Sequence, residues 1–472
     1  MYIFLCAVLL LVLGYIFYGK FVEKVFGIMP EKATPAIKYS DGVDFVALPV
    51  WKVFLIQFLN IAGLGPVFGA VLGAVYGPVA LLWIVFGSIF AGGVHDYMTG
   101  MFSVRFKGKT MDFMVKKLLH KKLSVLFALF LALILVLVGA VFALNPAKML
   151  ADIFNMPLVL WCCIIFGYYF LTTVLPVDKV IGKFYPFFAA LLIGVTIALL
   201  VCLFGMGREW FAEPTFANLH PANKPIFPLM FITIACGALS GFHSTQSPIM
   251  ARCLTNEKDG RVVFYGTMIL EGFIALVWAT LGIAFYQNQG IYYETVTKLG
   301  QGGVIGQIST NLLGHIGGIL TILSVVVLSV TSGDTAFRSA RLTLAEVFKI
   351  NQKNLLKRFV LSACILSVGI FFTMVDITTL WMYFGWTNQT LAMISLWTAS
   401  IWLKKKNKCY LITLLPALFM TMVSLTYILS DKIGFRIDLF VAKIISVVIA
   451  AGFLALFFVK TKTTKNKSND NV

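Results

Sequence analysis

The sequence predicts an all-α membrane protein of about thirteen transmembrane helices. Within it, two five-helix units of the LeuT type run inverted to one another, each opening on a discontinuous helix, with extra helices outside the repeat. Three observations predict this: an apolar composition, charge that alternates from loop to loop, and two glycine/proline interruptions five spans apart. The 472 residues are 60% hydrophobic and only 12% charged, with a mean hydropathy of +0.92. A soluble domain carries about 25% charged residues. The charges here are too few to cover a water-facing surface, and the apolar residues too many for a disordered chain. The 39 glycines suit membrane helices, which use small residues to approach closely and tolerate breaks where the freed backbone is buried.

Apolar runs of bilayer-spanning length cover residues 2–19, 53–76, 78–101, 124–144, 157–177, 184–205, 228–249, 262–286, 312–332, 359–376, 378–403, 409–429 and 437–459. The first resembles a signal peptide's apolar core. It lacks a basic leader and an A-x-A-type exit, so it is read as a retained helix. Gly77-Pro78 turns a hairpin between spans two and three, and Asp376-Ile377 joins spans ten and eleven. The chain then divides into a first helix with a cytoplasmic segment (1–52), a first repeat (53–227), a second repeat (228–403), and two added helices with a polar tail (404–472).

Charge supplies the orientation. The net charge of +18 comes from 38 Lys+Arg against 20 Asp+Glu. If the N-terminus is outside, 31 of the basic residues fall in inside segments. Only Lys148, Arg208, Lys224, Lys298, Lys432, Arg436 and Lys443 fall outside. Positive loops are retained in the cytoplasm, so the charge labels topology and not nucleic-acid binding. Residues 333–358 read as an amphipathic helix on the cytoplasmic face, with Phe337, Leu342, Leu344, Val347 and Phe348 on its apolar side. The eight cysteines form no CxxC pair and read as small apolar packing residues. Neither HExxH nor a Walker A GxxxxGK[ST] occurs, so no metal centre and no ATP-driven step is expected.

The second span contains Asn60-Ile-Ala-Gly-Leu-Gly-Pro66. Pro66 removes a backbone donor and clashes with the preceding turn, while Gly63 and Gly65 permit non-helical angles. The seventh span contains Gly237-Ala-Leu-Ser240-Gly241-Phe-His243-Ser244-Thr245-Gln246-Ser-Pro248. On the derived topology these two spans run in opposite directions. Paired interruptions in inverted halves point to a transporter's binding site. In the ninth span, Ser329 and Ser332 at i, i+3 share a helix face. Their hydroxyls, facing unwound carbonyls of span two, would suit Na⁺, a hard cation that takes oxygen ligands. Back-bonding to their own helix is the alternative.

Ionisable residues inside a membrane are functional candidates. They are His95, Asp96, His243, Glu271 and Asp334, with Asp178 and Asp376 at span ends. His243 has the side chain best suited to exchanging a proton near neutral pH. Consecutive helical residues diverge by about 100°, so His95 and Asp96 need not meet and the pair is a weak signal. Asp334 with Arg338 at i, i+4 fits an ordinary ion pair, but its place after the Ser/Thr cluster makes it a candidate ion or substrate contact.

These residues carry a resemblance. DGVDFVALP at 41–49, IAGLGPVFGAVLGAVYGP at 61–78, AGGVHDYMTGM at 91–101, CGALSGFHSTQSPIMARC at 236–253, SGDTAFRSAR at 332–341 and FGWTNQTLA at 384–392 together resemble the carbon starvation protein A family. The resemblance runs from about residue 40 to 400, and GFHSTQSP is its most specific block. It implies a bacterial inner-membrane transporter of peptides or pyruvate, driven by an ion gradient and built on inverted repeats. A well-studied branch of that family has a histidine pair at the first break, where this chain has Gln57-Phe58-Leu59-Asn60.

The expected mechanism is alternating-access symport by a multi-pass protein, N-terminus outside and C-terminus inside. A small carboxylate or short peptide would sit between Asn60, Gly63, Gly65 and Pro66 on one side and the Gly237–Pro248 break on the other. Half-helix N-termini attract carboxylate. Ser240, Ser244, Thr245 and Gln246 would donate hydrogen bonds beside Gly241, with Asn388 and Gln389 lining the same cavity. His243, Asp334 or the His95-Asp96 pair would carry a proton, and Ser329 and Ser332 would hold Na⁺. No cofactor, nucleic acid or obligatory protein partner is expected beyond membrane lipid. Two rivals stand. One is an intramembrane enzyme, which would need His95, Asp96 and His243 within hydrogen-bond reach. The other is a transporter-like nutrient sensor signalling through the basic 333–358 face.

Overall fold

A computed structural model describes residues 2–42, 45–118, 121–174, 185–206, 215–352 and 354–462. Asp44, Asp178, Arg208 and most of the polar tail lie outside them. The described residues are helical and turn structure throughout. Among the described residues, nine helices are long and apolar enough to cross a membrane, and one bent pair adds a tenth.

Three of the thirteen expected runs are not among them. Over the 157–177 run the helix is short, Leu158–Val174. Over 378–403 the helix is long, Ile377–Lys405, but rich in Thr, Asn, Gln and Ser. Over 228–249 the chain is interrupted and reaches spanning length only as separate pieces.

The membrane helices are labelled in chain order. They are α1 (Tyr2–Phe26), the bent pair α2 (Val50–Ile61) and α3 (Gly65–Tyr76), α4 (Val79–Arg105), α5 (Lys121–Phe154), α6 (Leu158–Val174) and α7 (Tyr185–Gly205). After the seventh-span interruption come α8 (His243–Ala251), α9 (Glu257–Tyr286), α10 (Gln289–Val347), α11 (Leu355–Phe372), α12 (Ile377–Lys405), α13 (Leu411–Ser430) and α14 (Leu439–Lys462).

Polar caps set several starts. The Asn288 side chain accepts from Ile291 N–H, Asn354 from Lys357 N–H and Asp376 from Thr379 N–H, each satisfying an orphan donor of the first turn. Gly27 (φ +71°) ends α1 in the left-handed region, where only glycine sits without strain.

Burial orders the helices from centre to rim. The most apolar stretch of α9 is 83% buried and those of α4 and α5 are 72%, against 17% for α14 and 22% for α11. The central helices therefore position the site. The rim helices turn residues such as Val448, Leu456 and Val459 outward, as lipid contact requires.

Residues 333–358 depart from expectation. They do not begin a separate surface helix: α10 runs unbroken through Asp334 to Val347, its non-helical points being Gly300 and Gly314 upstream. Phe337 is wholly buried against Phe166 and Tyr169 (ring centroids 5.9 and 5.3 Å). Only the far end, at Leu342 and Phe348, is exposed. Gly333 admits the Tyr169 hydroxyl: a Cβ there would lie 2.1 Å from it.

Candidate functional site at the two interrupted spans

The first interruption follows from its sequence. α2 ends at Ile61, residues 62–64 leave the helix, and α3 departs at 53°. The second is longer. A short helical piece ends at Thr233, Ile234 turns away (φ −90°, ψ +56°), and helix resumes at His243. Buried non-helical backbone must find partners. Asn388 and Gln389 of α12 supply them. Asn388 Oδ1 accepts from Phe242 N–H at 2.7 Å and from Ser240 Oγ at 3.2 Å. Gln389 Nε2 donates to the Leu239 carbonyl at 3.1 Å.

The two interruptions pack directly on each other. A Cβ on Gly65 would lie 2.1 Å from Cys236 Cβ. Gly241 is equally constrained, its Cβ position lying 2.2 Å from the Asn388 carbonyl oxygen. The side chain of α2 also reaches across: Gln57 Nε2 donates to Ser247 Oγ at 3.1 Å.

The ionisable side chains converge beside this junction. A π-turn over Ser88–Gly92 precedes them in α4. Such turns shift register and are frequent at functional sites. Asp96 is fully buried and clamped between two imidazoles, with Oδ1 2.8 Å from His95 Nδ1 and Oδ2 2.7 Å from His243 Nδ1. His95 and Asp96, which need not meet on helical geometry alone, do meet. Their Cβ vectors diverge, but a short carboxylate with two splayed oxygens reaches one imidazole with each.

On the far side of His243, Nε2 lies 3.4 Å from Glu271 Oε2 of α9. Both Glu271 oxygens and His243 Nε2 are buried with no hydrogen-bond partner. A carboxylate can only accept, so each imidazole presents N–H at Nδ1 to Asp96. Neutral His243 then directs a lone pair from Nε2 at Glu271. Two acceptors facing each other demand one proton between them. Glu271 was visible in the sequence as a mid-span acid. Its partnership was not, because it needs three helices to converge.

Other predicted residues are placed differently. The Ser244 hydroxyl donates to the Gly241 carbonyl and that of Thr245 to the Phe242 carbonyl, both at 2.7 Å. Gln246 Nε2 donates to Thr245 Oγ1. Ser240 donates to Asn388 of α12, while Ser244 and Thr245 serve the interruption's own backbone. Asn388 and Gln389 likewise brace it. Buried acceptors left over are Asn60 Oδ1, Gln57 Oε1, Gln246 Oε1 and Gln389 Oε1.

The serine pair divides. Ser332 Oγ lies 3.4 and 3.5 Å from the Leu59 and Asn60 carbonyls of the first interruption. Ser329 instead bonds back to Val325 O. Asp334 is fully buried. It accepts from Thr172 Oγ1 at 2.5 Å, while Arg338 Nη2 stands 3.5 Å from its other oxygen.

One face of the protein is shut and the other open. At the shut face Arg105 forks onto Glu257, Nε to Oε1 at 2.6 Å and Nη2 to Oε2 at 2.7 Å. Arg105 also donates to the Gly27 carbonyl, and Glu257 accepts from Met29 N–H. Phe26, Phe102 and Trp402 stack beneath. At the opposite face a cavity of about 780 Å³ descends to Phe68, Thr233 and Trp381 beside the interruptions. It stops short of the His–Asp cluster.

Comparison with known proteins follows the same lines. The family model described as carbon starvation protein CstA matches residues 1–152, 144–303 and 295–427. An uncharacterized membrane protein of Haemophilus influenzae is 43% identical over 351 residues, covering 63% of this chain and 94% of that one. The peptide transporter CstA of Escherichia coli is 25% identical, covering 90% and 80% of the two chains. The pyruvate/proton symporter BtsT of the same organism is 28% identical over 63% of this chain and 50% of its own. Among solved structures, the manganese transporter of Eremococcus coleocola with an aromatic bis-isothiourea compound superposes with a TM-score of 0.58 at 11% identity, over 90% of this chain and 99% of that chain.

Proposed function

The chain belongs to the carbon starvation protein CstA family, and from that premise we propose that it is a secondary active transporter, taking up a small carboxylate or short peptide together with a proton across the bacterial cytoplasmic membrane. The observation that carries the coupling is Asp96 held between His95 and His243, with Glu271 on the other side of His243.

Asp96 fixes the His243 tautomer, so the exchangeable proton sits between Nε2 and Glu271. When that proton leaves, two buried acceptors face each other and the packing of α4, α8 and α9 is penalised. An ion can shift a two-state equilibrium only through such a difference between states. Because α8 begins at His243, the proton acts directly on the interrupted span. The Gly241–Asn388 contact holds the second interruption against α12, and the Gly65–Cys236 contact keeps the two interruptions against each other. Movement of one is then felt by the other, and the substrate passes along their junction from the open vestibule.

The proposed frame is the inverted repeat of 53–227 and 228–403, with the N-terminus and the vestibule outside. The 31-to-7 distribution of basic residues supports that orientation. Na⁺ coupling is the second reading. It is favoured by Ser332 Oγ facing the Leu59 and Asn60 carbonyls. The enzyme rival's geometric condition is met, since His95, Asp96 and His243 are within hydrogen-bond reach. Membership in a family with named transporters favours proton transfer over substrate chemistry as the reading of that convergence.

Counterflow in proteoliposomes with pyruvate and a dipeptide, under separately imposed proton and Na⁺ gradients, tests the proposal. Uptake driven by a proton gradient and lost in His243→Ala is expected. Unchanged uptake and pH dependence in that variant would overturn the proton-carrier role.

A further inference from the structure

The seven basic residues that fall on the sparsely charged face are not scattered. Four of them, Lys148, Lys224, Lys298 and Lys432, line the cavity described above. They arrive from separate places: Lys148 near the end of α5, Lys224 from the loop before the second interruption, Lys298 from the first piece of α10 and Lys432 just after α13. Their opposite charges in the cavity are Asp152 and Asp431. The Asp431 carboxylate is engaged by Ile433 N–H. No ion pair joins these lysines to an acid among the described residues.

Basic residues on this face oppose the topology signal, so their convergence needs a separate physical reason. A concave site lined by one sign of charge within low-dielectric walls focuses the field and raises the local concentration of the opposite ion. Burial, and next the Lys224 ammonium, push His220 down to about 4. It therefore lines the cavity as a neutral imidazole. Its ring packs edge-on to Tyr76 at 4.8 Å and tilts against Tyr293 at 5.2 Å. Below the lysines the walls turn apolar, through Leu72, Leu229, Phe68 and Trp381. The cavity is thus cationic at the rim and apolar at the base.

We infer that this vestibule is an entry site for a carboxylate-bearing solute, which Lys148, Lys224, Lys298 and Lys432 capture before it reaches the interruptions. The inference rests on the transport reading and adds to it a preference for anionic substrates.

The test uses the full chain in phosphatidylcholine vesicles, where no lipid carries net negative charge. None of the native cysteines lines the cavity, so Met382→Cys, on its wall, reports on it once the labelling of the parent chain, whose Cys6, Cys163, Cys364 and Cys409 are exposed, is subtracted. Labelling by an anionic methanethiosulfonate should outpace a cationic one by about tenfold, after correction for intrinsic reactivity. Raised salt, which shortens the screening length to about 3 Å at 1 M, should erase the preference. Pyruvate should protect the cysteine. Replacing all four lysines by glutamine should bring the ratio close to one and abolish protection. In uptake, that variant should raise the KM for pyruvate several-fold with the maximal rate retained.

An unchanged labelling ratio or an unchanged KM in the four-glutamine variant overturns the proposal and leaves transport standing. Labelling preference and protection without uptake by the parent chain would instead overturn the transport reading. Protection that requires phosphatidylglycerol would assign the site to lipid headgroups and overturn solute capture.

Discussion

Asp96 and His243 lie 147 positions apart in sequence, yet Asp96 Oδ2 and His243 Nδ1 are 2.7 Å apart with both side chains fully buried. This contact ties the interrupted seventh span to the helix that follows the first, and the site is organised around it.

Asp96→Asn keeps the shape and removes the charge. A hydrogen bond to a charged acceptor is worth about 1.5–3 kcal/mol; lost from the state that carries the proton, it should lower proton-driven uptake by roughly 10- to 100-fold. Glu271→Gln should be milder in rate but flatten the pH profile, because an amide cannot accept the proton. A Glu271→Gln variant with the parent's pH profile would remove Glu271 from the relay.

The junction between interruptions has a paired test. Gly65→Ala places a methyl 2.1 Å from Cys236 Cβ, an overpacking that should cost about 1–3 kcal/mol and lower the Tm in detergent. Gly65→Ala with Cys236→Gly should recover part of that loss, since contacting residues couple by about 0.5–3 kcal/mol. No recovery would mean that the two interruptions do not bear on each other.

The shut face depends on Arg105 and Glu257, a bidentate pair with side chains only 15% and 3% exposed. Arg105→Ala should open that face. Net uptake should fall several-fold, and Ser103→Cys, buried two residues before Arg105 in α4, should become reactive to aqueous thiol reagents. Arg105→Glu with Glu257→Arg should restore part of the closure.

His220 gives a pH prediction outside the membrane spans. Its folded value, pushed down to about 4, lies below the ordinary value near 6.5. The fold therefore favours the neutral ring. That contribution is complete above about pH 6.5 and is lost as pH falls toward 4. His220→Gln should flatten the decline of Tm across this window. An identical decline would show that other groups cause it.

Much of the site was legible, but unevenly. Asn60–Pro66 and Gly237–Pro248 declare their breaks because glycine and proline act on their own local backbone. Ser244 and Thr245 read equally well as substrate donors. They turn inward because an unwound segment of this length leaves carbonyls that nearby hydroxyls satisfy first. Residues 333–358 misled for a related reason. A glycine and charges looked like the end of a span, whereas Thr172, Tyr169 and Phe337 make that stretch a buried continuation.

The sequence by itself determined the membrane class, the positions of most helices and the two interruptions. Each rests on hydropathy, charge or backbone chemistry, read within a few residues of one another. Only the tertiary structure decided that Asp96 serves two histidines, that Glu271 faces the second, and that four stray lysines share one cavity. Those relationships join residues far apart in the chain. They depend on how the helices rotate and cross, which local pattern does not encode.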